Sequence, residues 1–193
     1  MHSPRKKFPR WCGRSPTSSN SIGKVMKISS PPTSASVWTL LRKRYMPKLI
    51  KNGELIDDRW TILKEATGPE VLKAVPGKNF IVPFKFWQLY QSELNDYMGE
   101  VSIWLDSDEN VNDIGDALNS FPVIALNFPL FSDGRSYTNA RELRQRLGYA
   151  GEIRAIGDVL RDQLFYMSRC GFDAFNLRHD QDPEVCLSAF NDF

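Results

Sequence analysis

The residues best suited to chemistry in this chain lie in one stretch, Phe128-Pro-Leu-Phe-Ser-Asp-Gly-Arg-Ser-Tyr137, with Arg141 and Arg144 following. The stretch leaves an apolar run at Phe128, turns through Asp133-Gly134 and presents Arg135 where a helix is expected to begin. A guanidinium offers paired hydrogen bonds in a fixed plane, which suits sulfate, sulfite, phosphate or a carboxylate. Backbone N–H groups at a helix start near Ser136 would add to it. Oxyanion binding is therefore the first chemistry this turn suggests. A plainer reading competes: Asp133-Gly134 form the turn, Ser136 or Thr138 caps the helix, and Arg146 pairs with Glu142 at i,i+4.

A second junction of the same kind is Gly157-Asp158-Val-Leu-Arg161-Asp162-Gln163. Asp158 reads first as a helix N-cap. Its functional alternative, shared with Asp162, is a base or a carboxylate that orients Arg161. No histidine or paired acid completes a general acid–base assignment in either turn, so no catalytic residue is assigned.

Both turns need strands before them and helices after them. Leu49–Ile56 has apolar residues on either side of Asn52-Gly53, a dipeptide suited to a tight hairpin turn. Trp60, Ile62 and Leu63 read as a further hairpin arm or a third strand, and 65–79 as a surface loop. Five β-α units are then expected: Asn79–Pro83 with Phe86–Tyr97, Val101–Leu105 with 111–119, Val123–Phe128 with Tyr137–Leu147, Glu152–Ile156 with Val159–Cys170, and Phe172–Leu177 with Pro183–Phe190. Gly148 and Gly171 are the helix stops. The pattern predicts an α/β fold with a mostly parallel sheet, doubly wound or partial-barrel-like, and an N-terminal β-hairpin. In such a sheet Asp106, Asp108, Asn127, the 128–137 turn, Asp158 and Arg178 share the edge formed by the strands' C-terminal ends.

Composition narrows the function classes. The 193 residues are 41% hydrophobic and 25% charged, as expected of an ordinary globular protein. The net charge of +2 is unevenly distributed: residues 1–45 hold ten Lys or Arg and no Asp or Glu, leaving 15 basic and 23 acidic residues beyond them. An acidic body argues against nucleic acid as a partner. No apolar run approaches the length of a membrane span. The three cysteines and two histidines form no close metal-ligand pattern, so no intrinsic metal, iron–sulfur or haem site is expected. Cys170 and Cys186 read as core thiols, and a reducing cytoplasm fits this cysteine usage. Fingerprints of classical dinucleotide binding, P-loop phosphoryl transfer, α/β-hydrolase chemistry and zinc proteolysis are lacking. Flavin or NAD(P) held by less recognisable loops is left open.

Three readings of residues 1–45 stand side by side: an organellar transit peptide, a disordered basic arm that binds anions, or a stretch outside a native protein that starts at Met46. The last is favoured, because Met46 directly precedes the first patterned segment. The expected organisation is thus a basic leader over 1–45 and one α/β domain over 46–193.

Several motifs together resemble a known family. Met46-Pro-Lys-Leu-Ile-Lys-Asn-Gly with Asp58-Arg-Trp60 is similar to its opening, and Ile124-Ala-Leu-Asn-Phe-Pro, Phe131–Tyr137 and Ala140-Arg-Glu-Leu-Arg144 to its centre. Gly148-Tyr149, Gly151–Ala155, Gly157–Gln163 and Cys170–Phe175 complete the likeness to the bacterial domain-of-unknown-function family 934. The resemblance implies an oxidoreductase or accessory protein of assimilatory sulfite reduction, within sulfur assimilation and cysteine biosynthesis. Sulfite reductase is then the expected partner, and sulfite or sulfate the expected small oxyanion. An anion- or nucleotide-binding regulator without catalysis is the alternative. The motif positions carried over as a candidate ligand site are Asp133, Gly134, Arg135, Ser136, Tyr137, Gly157, Asp158, Arg161, Asp162 and Gln163, with Arg141 beside them.

Overall fold

A computed structural model of the chain describes residues 48–65, 68–73 and 78–191. The readings of residues 1–45, and of a start at Met46, lie outside the described residues. The expected hairpin is present: β1 (Lys48–Lys51) and β2 (Glu54–Asp57) pair antiparallel from Lys51↔Glu54 to Lys48↔Asp57. Asn52 and Gly53 make the turn at φ 51 and 78, values that Asn and Gly tolerate best.

Six further strands follow: β3 (Trp60–Ile62), β4 (Asn79–Pro83), β5 (Val101–Leu105), β6 (Val123–Phe128), β7 (Glu152–Gly157) and β8 (Ala174–Phe175). They form one eight-stranded sheet in the order β2-β1-β8-β7-β6-β5-β4-β3. Neighbours from β3 to β8 are parallel, whereas β1 is antiparallel to both β2 and β8. The sheet is therefore mixed. The expectation of five units in a mostly parallel sheet is corrected. Trp60–Ile62 pairs with β4 and not with the hairpin, and a short helix, α1 (Glu70–Lys73), lies in the stretch read as loop.

Sequential order also removes the doubly wound alternative, because the order never reverses to place helices on both faces. The alternation along each strand agrees. Ile103, Leu105, Ile124, Leu126, Phe128, Ile153 and Ala155 pack with helix residues such as Ala140, Leu143, Leu164 and Met167. The intervening residues Ile81, Val123, Ala125 and Ile156 form a second cluster with Trp60, Ile62 and Trp104, drawn from strands alone. Each buried aliphatic side chain contributes about 1.5–3 kcal/mol. The run Val123–Leu126, buried on both faces, is thus a main source of stability.

The two outermost strands, β2 and β3, are consecutive in sequence, with only Asp58 and Arg59 between them. Asp57 and Trp60 can then be no more than ~11 Å apart. The sheet must roll until its first and last strands meet, which makes a partial barrel with the strand-only cluster inside. Asp58 and Arg154 meet in that interior: Arg154 Nη1 lies 3.0 and 2.9 Å from the two Asp58 carboxylate oxygens. Arg154 Nε donates to Glu152 at 2.8 Å, and Lys51 pairs with Glu152 at 2.7 Å. Two acids and two bases thus balance, with the side chains of Asp58, Glu152 and Arg154 buried and that of Lys51 partly exposed.

The helical elements are more broken than their periodicity suggests. α2 (Phe84–Leu89) and α3 (Gln91–Asn95) replace one helix over 86–97. Residues 111–120 form 3₁₀ turns broken at Gly115, φ 60. α4 (Arg135–Arg141) runs on as a π-turn over Glu142–Arg146. A 3₁₀ turn at Arg161–Gln163 precedes α5 (Leu164–Cys170), which Gly171 ends at φ 109. α6 (Pro183–Cys186) closes with a 3₁₀ turn over Leu187–Asn191.

Candidate functional site

Parallel strands bring their C-terminal ends to one rim, where ligand sites of barrels and open α/β sheets gather. Both predicted turns lie there. The loop from β6 to α4 is held by its neighbours: Phe131 N–H donates to Asp158 Oδ2 at 2.8 Å, and Gln163 Nε2 donates to the Phe131 carbonyl at 2.8 Å. Gln163 Oε1 also accepts the Leu160 N–H at 3.1 Å, so this side chain shapes two turns. The remaining Asp158 oxygen accepts Arg178 Nη1 at 2.8 Å. Asp158 is therefore a tie between three loops, neither a helix cap nor a partner of Arg161.

Arg135 has its own counter-ion. Its Nε lies 3.0 Å from Asp133 Oδ1, and its Nη2 donates to Asp133 Oδ2 at 2.6 Å and Ser107 Oγ at 2.7 Å. Those hydrogen bonds hold the Asp133 carboxyl far below the usual carboxylate range and raise the guanidinium. Asp133 occupies the place that an oxyanion would take. Gly134 is the residue before α4, and Ser136 is buried, its Oγ donating to the Asn127 carbonyl at 2.6 Å. Tyr137 packs against Phe128 and Tyr166 at ring distances of 5.1 and 5.2 Å. Burial pushes its hydroxyl up to about 12.

Three predicted residues stand apart. Arg141 and Asp162 are exposed, and Arg161 Nη2 donates to Ser188 Oγ at 2.9 Å. Arg144 is structural: it donates to the carbonyls of Gly171, Tyr149 and Gly151 at 3.0, 2.6 and 2.8 Å and pairs with Asp173. Arg146 pairs with Glu142 at 2.9 Å, as the plainer reading expected.

Between the strand ends lies a cavity of about 620 Å³, the mouth of the partial barrel. β3 and its continuation supply Ile62 and Lys64, β5 supplies Trp104, and β6 supplies Asn127. β7 supplies Ile156 and Gly157, and the segment after β8 supplies Asn176, Arg178 and His179. Gly157 is needed here: its φ is 95, and a Cβ would sit 2.4 Å from the Phe128 carbonyl oxygen and 2.5 Å from Asn127 Oδ1. Trp104 Nε1 donates to the Leu63 carbonyl at 2.9 Å, and Asn127 Nδ2 to Asp106 at 3.0 Å. Arg178 is balanced by Asp158 and by Asp180, with Nε and Nη2 at 2.7 and 2.8 Å from the latter's oxygens. The guanidinium brings the Asp180 carboxyl down to about 2.

By contrast, the side chains of Lys64, Asn176 and His179 make no hydrogen bond or ion pair among the described residues. Of the predicted set, only Gly157 and Asp158 line the cavity. Lys64, Trp104, Asn176 and His179 were missed, and Arg178 was placed on the rim without a role. Alternation in Ser102-Ile103-Trp104 marks Trp104 as facing opposite to Ile103, but Lys64 follows a strand whose partner sequence does not reveal. Among the described residues no group of three His, Cys, Asp or Glu side chains could hold a metal ion, and no helix is long and apolar enough to cross a membrane.

Fold and mouth together define an α/β protein in which a partial barrel carries a polar-rimmed cavity at the strand ends. Residues 102–193 match the family described as "Bacterial protein of unknown function (DUF934)". The motifs quoted from Ile124 to Phe175 fall inside the match, whereas those from Met46 to Trp60 precede it. No curated protein and no solved structure matches the chain.

Proposed function

We propose that this protein binds a small anion at the barrel mouth and serves assimilatory sulfite reduction in the cytoplasm, as an accessory of a separate sulfite reductase. One observation carries the binding reading: Lys64, Asn176 and His179 line the cavity with polar groups that no other described residue uses. Ligand sites commonly join a few unpaired polar groups to apolar walls, and Lys64 supplies the positive charge. The turn at 128–137 supports this mouth in place of being the site itself, since Asp133 already neutralises Arg135. The link to sulfite reduction rests on the family resemblance.

The test combines sulfite titration by calorimetry with the rate of a sulfite reductase from the same bacterium, with and without the full chain. Saturable binding weakened at least tenfold in Lys64→Ala, with a rate increase lost in the same variant, supports the proposal. No binding and no effect on rate rejects it. A second reading, an anion- or nucleotide-binding regulator without catalysis, is favoured by the size of the cavity. Binding without any effect on the reductase would select it.

A further inference from the structure

The volume and wall chemistry of the mouth specify more than a bare oxyanion. At about 620 Å³ the cavity falls within the range typical of organic ligands, and a sulfite ion would leave most of it to water. Its depth is apolar, formed by Ile62, Ile156 and Trp104. The Trp104 ring is fixed by its bond to the Leu63 carbonyl at 2.9 Å, so it is preorganised and a ligand need not order it. The polar groups lie at the ends of the strands and beyond them. Among these, Arg178 is balanced by Asp158 and Asp180, and both Asp158 oxygens accept hydrogen bonds. Lys64 is the cation left without a counter-ion among the lining residues. Asn176 and His179 add hydrogen-bonding groups without a permanent charge.

We infer that the mouth takes an aromatic monoanion: a flat ring lodged against Trp104, Ile62 and Ile156, with one sulfonate or carboxylate held at Lys64, Asn176 and His179. The inference rests on the mouth being the ligand site. A ring excludes water from the apolar depth, and the single acidic group matches the single unbalanced cation. Neither half alone satisfies the whole cavity.

The test uses the full chain and four probes: naphthalenesulfonate, methanesulfonate, sulfite and the neutral naphthalenemethanol. Binding is read by calorimetry and by the indole N–H resonance of Trp104, assigned by its loss in Trp104→Phe. Naphthalenesulfonate is expected to bind at least tenfold tighter than the other three and to shift that resonance. Lys64→Ala, at an exposed position, should weaken it about tenfold while leaving naphthalenemethanol unchanged. Equal binding of sulfite and naphthalenesulfonate overturns the ring requirement but leaves the small-anion reading intact. Equal binding of naphthalenemethanol overturns the anion requirement. Failure of all four removes both readings together.

Discussion

Removing the Asp58 carboxylate should open the barrel. The Arg154 side chain is 1% exposed and that of Asp58 3%, and Arg154 Nη1 meets both carboxylate oxygens, at 3.0 and 2.9 Å. Asp58→Asn leaves the buried Arg154 with Glu152 alone, a carboxylate it shares with the partly exposed Lys51. Breaking a buried pair in this way costs about 3–5 kcal/mol, whereas replacing both members by apolar groups is often close to neutral. Asp58→Asn keeps an oxygen for the Trp60 N–H, which Asp58 Oδ1 accepts at 3.0 Å, and so isolates the charge. With a urea m-value of about 2 kcal/mol/M, the midpoint should fall by roughly 2 M. Asp58→Leu combined with Arg154→Met should recover most of that loss, giving a coupling of at least ~2 kcal/mol in a double-mutant cycle. Urea unfolding followed by circular dichroism measures the wild type, Asp58→Asn and the three variants of the cycle. A loss below about 1 kcal/mol in Asp58→Asn, with additive effects in the cycle, would refute the idea that this pair fastens the rolled sheet.

Four further outcomes follow from the same geometry. Gly157→Ala should cost about 1–3 kcal/mol through its positive φ and the contact with the Phe128 carbonyl, lowering the melting temperature by several degrees in calorimetry. Asp158→Ala removes the acceptor of the Phe131 N–H, so hydrogen exchange at Phe131 should accelerate well beyond any change in the core strands. Arg135→Ala should leave anion binding at the mouth within about twofold, because Asp133 already holds that guanidinium; a tenfold loss in calorimetry would return the site to the 128–137 turn. Asp133 and Asp180 are both depressed below the unfolded value, so their contribution is present above about pH 4 and lost as pH falls toward 2. Asp133→Asn should flatten that acid dependence of the urea midpoint, and an unchanged slope would contradict the pairing.

What could be read from the sequence was local. Asn52-Gly53 declared its hairpin, Val123–Phe128 its buried strand, and Gly171 its helix stop, because each depends on a few adjacent residues. The role of Trp60–Ile62 was hidden because a three-residue strand has no period of its own, and its partner lies beyond an intervening helix. Helix starts were misplaced at Val159 because the chain after Gly157 first serves side-chain ties, and 3₁₀ turns carry weak periodicity. The candidate turns were found, but their electrostatics were not. Asp133 neutralises Arg135 from two residues away, and Arg178 reaches Asp158 across twenty, so a count of cations could not show which were already satisfied. Lys64, Asn176 and His179 became visible only when the rolled sheet placed two distant segments around one cavity.

The pairing of β1 with β8 has a consequence for how the chain is made. Ile50 lies opposite Phe175, so the hairpin cannot take its place until nearly the whole described chain has left the ribosome. At ~5–20 residues per second this leaves the hairpin waiting on the order of ten seconds. During that time β1 offers an unfilled hydrogen-bonding edge to whatever is nearby. The strands from β3 onward can assemble in the order of their synthesis, each beside the last. Among the described strands the hairpin arrives first and docks last, so a chaperone that shields residues 48–57 would protect the step that completes the roll.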